Sequence, residues 1–257
     1  LFDLDETLAP DDTTDRAIFA ELDAAVAQEY SVSADALVPA IDRAAGDRWE
    51  AAPTAAYCAR IGIHAWEGLW GPFGPSADPM LAALHAFAPG YRVAAWTAAL
   101  AACGIHDPAS GAALAERFSA ERRARQAAYP WSRAVLDSLR PRHRLGLITN
   151  GAPDLQRLKL GGTGLADYFD PIVVSGELGV GKPEPAIFAH ALARAGIDSS
   201  AAIMIGDSWA RDIQGALGAG LRAVWINPRG TPAPDSVAGV AIIPDLRALP
   251  EVLTRSA

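Results

Sequence analysis

The sequence predicts an α/β fold in which a mostly parallel sheet is interrupted by an inserted all-helical domain. From about residue 130 onward, short apolar segments of strand character alternate with segments of helical spacing. This alternation is typical of βαβ units and a parallel sheet. Between residues 14 and 129 almost only helical spacing occurs, and one strand precedes that region. We therefore predict a core domain of residues 1–13 and 130–257 and a helical domain of residues 14–129.

The core domain begins with a buried strand at residues 1–4. Because the chain opens on Leu1 and not on Met, we expect a few further residues of that strand to precede it. The later strands are predicted at residues 144–148, 171–174, 202–205, 223–226 and 240–243, and the helices at residues 131–139, 155–159, 186–195, 209–219 and 245–253. Open α/β sheets bind ligands at the carboxyl ends of their strands, so that edge is where we expect the site.

The helical domain follows the first strand directly, so we expect it to lie over the ligand-binding edge as a cap. Helical spacing occurs in residues 15–30, 35–49 and 79–129, with breaks predicted at the turn-rich residues 62–79, near Pro89-Gly90 and at residues 104–108. For each large aromatic side chain we favour packing in the domain's own core over substrate contact. These residues are Trp49, Tyr57, Trp66, Trp70, Phe73, Phe87 and Trp96.

Composition excludes several classes of function. The net charge of -8 over 257 residues argues against a broad nucleic-acid-binding face, which needs clustered Lys and Arg. The two cysteines, Cys58 and Cys103, form no CxxC pair or Cys/His cluster, which favours free thiols in a reducing cytoplasm. No apolar stretch reaches the ~18 residues of a membrane helix. We predict a cytoplasmic monomer or homodimer with neither nucleic-acid nor membrane partners.

The first chemical motif contains Asp3 and Asp5, at the end of the first strand. Two carboxylates at this spacing can face one small site, where a hard cation such as Mg²⁺ would bind their oxygens. Without a cation they would repel each other, and one would be protonated. An aspartate can also attack phosphorus to give an aspartyl-phosphate. Alone, the motif fits a solvated acidic turn as well.

The second motif is the end of the strand at residues 144–148, where Thr149, Asn150 and Gly151 follow. A hydroxyl, an amide and the backbone N–H groups of a strand-to-helix turn are candidate ligands for phosphate oxygens. The alternative is a plain turn in which Asn150 or Gly151 is left-handed.

The third motif places Lys182 between Gly181 and Pro183, just before a predicted helix. The only other lysine of the chain is Lys159. An ammonium at this position could neutralise a carboxylate nucleophile and the phosphoryl group that it attacks. The alternative is a surface lysine at a helix start, which the helix dipole disfavours.

The fourth motif delivers Asp207 to the edge of the sheet that holds Asp3, because Asp207 follows the strand at residues 202–205. We interpret Asp207 as a further metal ligand, and Asp212 as a group that binds a metal-bound water or orients Lys182. Helix capping by Asp207 and Ser208 is the alternative. Because polar residues of the right kind follow four strand ends in turn, we favour one shared phosphate and metal site.

The sequence resembles the haloacid dehalogenase-like hydrolase superfamily, on the segments FDLDETL, ITNG, GKPEPAIF and GDSWARD in that order. The all-helical insertion resembles that of the superfamily's helical-cap phosphatase branch. The resemblance implies a Rossmann-like core in which Asp3 is the nucleophile and Asp5 the general acid and base.

The resemblance also implies the binding groups. Phosphate oxygens would contact Thr149, Lys182 and the backbone of Leu4 and Asp5. Mg²⁺ would be bound by Asp3, the backbone carbonyl of Asp5 and Asp207, with Asp212 in support.

The expected function is magnesium-dependent hydrolysis of a small phosphomonoester, such as a sugar phosphate, a nucleotide or a related metabolite. Superfamily members that cleave carbon–halogen bonds lack an acid two residues after the nucleophile, so Asp5 favours phosphoryl transfer. Two alternatives remain open at this point: a phosphomutase with the same nucleophile, and a catalytically silent binding protein that keeps the fold.

Overall fold

The computed structural model describes residues 1–33, 35–232 and 239–255. The chain divides into two compact units, one of Leu1–Asp11 with Ala127–Ala257 and the other of Asp12–Gln126. Within the described residues, no helix combines the length and the apolar character that a membrane crossing requires.

The unit of residues 12–126 is helical. Its helices are α1 (Asp12–Tyr30), α2 (Leu37–Glu50), α3 (Ala55–Ile61), α4 (Ala65–Gly68), α5 (Pro79–Ala102) and α6 (Pro108–Ala124). Two of them begin at an Asp-Pro pair. The side chains of Asp78 and Asp107 accept hydrogen bonds from backbone N–H groups of the first turn, and Pro79 and Pro108 stand at the first helical positions. Both residue types favour a helix start.

Aromatic side chains form much of the core of the helical unit. Phe19 stacks on Phe118 with ring centroids 4.6 Å apart, and Trp96 lies 5.6 Å from Phe118. Five of the seven aromatics assigned to packing are buried, namely Trp49, Tyr57, Trp70, Phe73 and Trp96, and the other two are half-buried. The packing interpretation is thus confirmed for these five. Cys58 and Cys103 are both free thiols.

Helix α5 continues through Pro89 and Gly90, so the break predicted there is wrong. A proline inside a helix removes one backbone hydrogen bond. The buried face of α5 nevertheless extends to both sides of Pro89, through Leu84, Ala88 and Tyr91. Burial of this face outweighs the local helix propensity, which is a weak preference.

The second unit is built on a parallel sheet. Its strands are β1 (Leu147–Thr149), β2 (Ile172–Val174), β3 (Ile203–Gly206), β4 (Arg222–Ile226) and β5 (Val240–Ile243). Phe2 forms parallel bridges to both Leu147 and Ile205. The N-terminal segment, residues 1–3, therefore lies between β1 and β3. With the pairings β1–β2, β3–β4 and β4–β5, the order across the sheet is β2, β1, N-terminal segment, β3, β4, β5.

Both faces of this sheet are covered. Leu147 and Ile205 pack into one buried apolar cluster, whereas their neighbours Ile148 and Met204 pack into another. This alternation is the two-residue period of a strand, and parallel sheets are typically buried on both sides. The covering helices are α7 (Ser132–Leu139), α8 (Pro153–Thr163), α9 (Ser175–Leu178), α10 (Pro185–Ala195), α11 (Gly215–Gly218) and α12 (Leu249–Arg255).

Some elements of the core differ in kind from the prediction. The helix predicted at residues 209–219 begins as a π-helix, Trp209–Gln214, and becomes α11 only at Gly215. The helix predicted at residues 245–253 begins as a 3₁₀ turn before α12. The π-helix has six residues and the 3₁₀ turn has three, so each is too short for apolar periodicity to distinguish these helix types.

A buried ion pair joins α1 and α6. The guanidinium of Arg122 lies 2.5 Å from the carboxylate of Asp15, and both side chains are 1% exposed. The same guanidinium lies 4.3 Å from the ring centroid of Trp70. Removal of one partner would leave the other charge buried without its counter-ion.

We therefore expect Asp15→Leu to lower the free energy of unfolding by ~3–5 kcal/mol. The double variant Asp15→Leu/Arg122→Met should recover most of that loss, because no charge is then left buried. Urea unfolding measures both changes. The control is Arg117→Ala, which breaks a solvent-exposed pair with Glu121 on α6 and should cost at most ~1 kcal/mol. Equal losses in the control and in Asp15→Leu would contradict the prediction.

Candidate active site

Three carboxylates meet at the carboxyl end of the central strands. Asp3 ends the N-terminal segment, Asp207 follows β3, and Asp212 lies in the π-helix. One carboxylate oxygen of each lies within 4.8 Å of the others. Asp3 and Asp212 are buried, and Asp207 is half-buried. Gly206 leaves room for this approach, since a Cβ there would lie 2.4 Å from the carboxylate of Asp212.

Lys182 joins two of these carboxylates. Its Nζ lies 2.5 Å from Oδ1 of Asp3 and 2.6 Å from Oδ1 of Asp212, and its side chain is 2% exposed. A lysine is rarely buried to this degree unless it is paired. The alternative of a solvated surface lysine is therefore wrong.

Asn150 fixes the main chain of Lys182. Its Nδ2 donates to the Lys182 carbonyl at 2.9 Å, and its Oδ1 accepts from the Lys182 N–H at 2.8 Å. Gly181 permits the close approach, since a Cβ there would lie 2.7 Å from Oδ1 of Asn150. The amide predicted to bind substrate thus has both ends engaged with the loop that carries the lysine.

The pKa values reflect an excess of buried negative charge. Burial raises the pKa of Asp3 to about 6, although Lys182 opposes this shift. Burial, with repulsion from Asp3 and Asp212, raises the pKa of Asp207 to about 8. Burial alone would lower the pKa of Lys182, but the neighbouring Asp212 and Asp3 raise it above its ordinary value. One ammonium does not compensate three clustered carboxylates.

This arrangement fits a divalent cation. Asp3, Asp207 and Asp212 offer hard oxygen donors at one point, and the raised pKa values of Asp3 and Asp207 reflect the absence of a compensating charge beside them. Oxygen donors of this kind are those that Mg²⁺ prefers. The carboxylate of Asp5 is not a member of this cluster.

The side chain of Asp5 lies in a second group of polar contacts. Its Oδ2 accepts from Nε2 of Gln156 at 3.4 Å and lies 3.1 Å from Nζ of Lys159. The Oγ1 of Thr149 donates to Oε1 of Gln156 at 3.0 Å. Gln156 therefore links Asp5 to Thr149 at the end of β1. A Cβ at Gly151 would lie 2.4 Å from Nε2 of Gln156, so glycine makes room for this side chain.

Backbone geometry orients the first motif. The side chain of Leu4 is fully buried, and its backbone N–H donates to the carboxylate of Asp3. The chain then turns sharply, with Glu6 in the left-handed region at φ 57° and its N–H bonded to the carbonyl of Ala9. The turn returns the chain to Leu4, whose carbonyl accepts from the N–H groups of Leu8 and Ala9.

The fourth motif is supported by Trp225 and Ser208. Nε1 of Trp225 on β4 donates to the Asp207 carbonyl at 2.8 Å. The ring of Trp209 meets that of Trp225 edge-on, with centroids 4.9 Å apart. Ser208 caps the π-helix by accepting from the backbone of Arg211, so the capping interpretation holds for Ser208. The Asp207 carboxylate instead lies in the cluster with Asp3 and Asp212, which could hold a metal ion.

The structure thus brings Asp3, Lys182, Asp207 and Asp212 into one cluster, with Asn150 behind the lysine. Asp5 and Thr149 form the adjoining group. Sequence reasoning did not assign roles to Gln156 and Lys159. Two features of the sequence point to them. Lysine is rare in the chain, and the spacing of three residues between Gln156 and Lys159 places both side chains on one helical face.

Comparisons with known proteins show the family to which the chain belongs. A family model described as haloacid dehalogenase-like hydrolase matches residues 1–220. The chain is 38% identical over 248 residues to a phosphoserine phosphatase of Thermus thermophilus. The aligned residues cover 96% of this chain and 93% of that protein.

Two solved structures are similar over nearly the whole chain. A 2-haloacid dehalogenase from Pseudomonas syringae pv. Tomato is 29% identical with a TM-score of 0.58, covering 100% of this chain and 97% of that one. A HAD phosphatase from Thermococcus onnurineus is 25% identical with a TM-score of 0.56, covering 98% and 95%. These matches confirm the predicted family and the α/β fold with its helical insertion.

The role of Asn150 generates a test of the site's construction. Asn150→Ala would leave the buried N–H and carbonyl of Lys182 without partners, at ~1–3 kcal/mol for each unpaired group. Asn227 is the matched control, since its amide bridges the N–H and carbonyl of Thr231 in the same way but in an exposed position. Water replaces the lost bonds there, so Asn227→Ala should cost less than ~1 kcal/mol. Urea unfolding of both variants decides; equal effects would refute the buried role of Asn150.

Proposed function

Because the chain belongs to the haloacid dehalogenase-like hydrolase family, we propose that it is a magnesium-dependent phosphatase that hydrolyses a small phosphomonoester through an aspartyl-phosphate on Asp3. The observation that carries the proposal is the meeting of Asp3, Lys182, Asp207 and Asp212 at one edge of the sheet. The relative that spans nearly the whole chain is named a phosphatase, which is a phosphoric monoester hydrolase. Another is named a dehalogenase, and Asp5 favours the phosphatase reaction for this chain.

Mg²⁺ would be held by the carboxylates of Asp3 and Asp207 and by the backbone carbonyl of Asp5, with Asp212 in support. When bound, the ion would neutralise negative charge on Asp3 and on the phosphoryl group. Lys182 supplies a second positive charge at the same point, since its Nζ is within 2.5 Å of Asp3. The hydroxyl of Thr149 and the backbone N–H groups of Leu4 and Asp5 would hold the remaining phosphate oxygens.

In the first half-reaction, a carboxylate oxygen of Asp3 forms a bond to phosphorus as the ester P–O bond breaks. The bonding electrons leave with the ester oxygen, which takes a proton from the carboxyl group of Asp5. Proton donation of this kind typically contributes ~10²–10⁴-fold in rate. The products are a free alcohol and the aspartyl-phosphate.

In the second half-reaction, the ionised Asp5 takes a proton from water as the water oxygen bonds to phosphorus. The bond between phosphorus and Asp3 breaks, and inorganic phosphate leaves. Asp3 is again a carboxylate and Asp5 again carries its proton, so the enzyme returns to its starting state.

The substrate is proposed as a small phosphorylated metabolite of the sugar phosphate or nucleotide type. A screen of phosphomonoesters with Mg²⁺, read as released phosphate, tests the proposal. A burst of sugar bisphosphate in place of phosphate would indicate a mutase. If the protein neither released phosphate nor bound Mg²⁺, it would be a catalytically silent scaffold.

The nucleophile is tested by Asp3→Asn. An amide does not attack phosphorus, so we expect the rate of phosphate release to fall by at least about 10⁴-fold. EDTA should stop the wild-type reaction, and added Mg²⁺ should restore it. The control is Asp167→Asn, which removes an exposed carboxylate of the same unit and should leave the rate unchanged. Robust turnover by Asp3→Asn, or without metal, would refute the mechanism.

The raised pKa values predict how pH affects the metal-free protein. The folded-state pKa values of Asp3, about 6, and Asp207, about 8, lie above the ordinary value of 3.8. The folded state therefore loses stability as pH rises through these values. We expect the Tm in EDTA to fall between pH 5 and pH 8.5, and Mg²⁺ to raise the Tm more at pH 8.5 than at pH 5.

The control for this pH dependence is Asp207→Asn, which removes the group with the higher pKa. Its Tm in EDTA should fall less steeply over the same pH range, and Mg²⁺ should raise its Tm less. Differential scanning fluorimetry measures the Tm of both proteins at pH 5 and at pH 8.5, in EDTA and in Mg²⁺. A Tm difference between the variant and the wild type that does not change with pH would show that Asp207 does not titrate as stated.

A further inference from the structure

We propose that Lys159 is a positioning residue that fixes the carboxyl group of Asp5 for proton transfer to the leaving group. The inference rests on the proposed function, in which Asp5 is the general acid. It adds to that function a residue outside the four motifs.

The contacts of Lys159 carry the proposal. Its Nζ lies 3.1 Å from Oδ2 of Asp5 and 3.0 Å from Oδ1 of Asp11, and its side chain is only 2% exposed. Burial of an ammonium is costly unless it is paired. The fold therefore retains a charged group at this position, directly against the side chain that the mechanism assigns to proton transfer.

A second donor reaches the same oxygen from the same helix. Gln156, three residues before Lys159 on α8, donates from Nε2 to Oδ2 of Asp5 at 3.4 Å. Residues at this spacing lie on one helical face. Because both donors meet one oxygen, they restrict rotation of the Asp5 carboxyl group. Thr149 at the end of β1 donates a hydrogen bond to Gln156, and this contact in turn fixes the orientation of Gln156 toward the Asp5 carboxyl group.

The contact of Lys159 with Asp11 anchors the ammonium. The side chain of Asp11 is 10% exposed, and its backbone N–H donates to Oε1 of Glu6 at 2.8 Å. Lys159 thereby connects Asp5 and Asp11, the two ends of the loop of residues 5–11. A merely structural role would be to hold this loop. The test must separate loop stability from the orientation of Asp5.

Leaving-group chemistry makes that separation. In the first half-reaction the ester oxygen needs the proton of Asp5 only when it departs as a poor leaving group. An alkoxide such as that of benzyl phosphate is poor, whereas p-nitrophenolate departs without a proton. Loss of Asp5 orientation should thus slow benzyl phosphate selectively, whereas general damage to the site should slow both esters alike.

The experiment compares kcat/KM for benzyl phosphate and p-nitrophenyl phosphate, with Mg²⁺, in the full chain. For Lys159→Met we expect a loss of ~10–100-fold with benzyl phosphate and less than ~3-fold with p-nitrophenyl phosphate, a fraction of the full general-acid effect. Asp5→Asn should show the same selectivity with a larger loss, ~10²–10⁴-fold. Arg157→Met is the matched control, because Arg157 lies on the same helix with an exposed side chain that pairs with Glu177.

The outcomes distinguish the two proposals. A selective loss in Asp5→Asn with a uniform loss, or none, in Lys159→Met overturns this inference alone. A uniform loss in Asp5→Asn overturns the acid role of Asp5, and this inference with it. Should Lys159→Met fail to fold, Asp11→Asn retains the lysine and removes the negative charge that anchors it. The ratio of the two kcat/KM values should then fall in the same direction, and an unchanged ratio overturns the inference.

Discussion

A single buried ammonium, that of Lys182, is the interaction on which the site depends. It lies within 2.6 Å of two carboxylates that would otherwise repel each other in a medium of low polarity. The lysine is in turn held through its own backbone by Asn150, so its position does not depend on the flexible side chain alone. The remaining negative charge is what makes the cluster suited to a divalent cation.

The order of the strands explains how this charge is concentrated. The N-terminal segment lies between β1 and β3, so Asp3, Thr149 and Asp207 lie at the ends of three adjacent members of one parallel sheet. All three therefore leave the sheet at the same edge. Glycines at positions 181 and 206 then allow side chains to approach more closely than a Cβ would permit. The strand order therefore brings the site residues to one edge, and local packing then sets how closely their side chains approach.

The alternation of strand-like and helical segments was sufficient to predict the fold class, and the polar residues at the predicted strand ends identified those that the structure gathers around Lys182. Contacts between side chains were not predictable in the same way. The amide of Asn150 faces a backbone instead of the site, and Gln156 and Lys159 reach Asp5 only because α8 packs at a particular rotation. The continuity of α5 through Pro89 was also missed, because it depends on burial of the whole helix face and not on local propensity.

The central place of the N-terminal segment has a consequence for biosynthesis. Phe2 pairs with Leu147 and with Ile205, so it leaves the ribosome long before either neighbour exists. The helical unit, by contrast, is one uninterrupted stretch of residues 12–126. Domains generally fold as units during synthesis. The helical insertion is thus fully synthesised while the sheet still lacks most of its strands. The N-terminal segment pairs with β1 and β3 only after those strands have been synthesised.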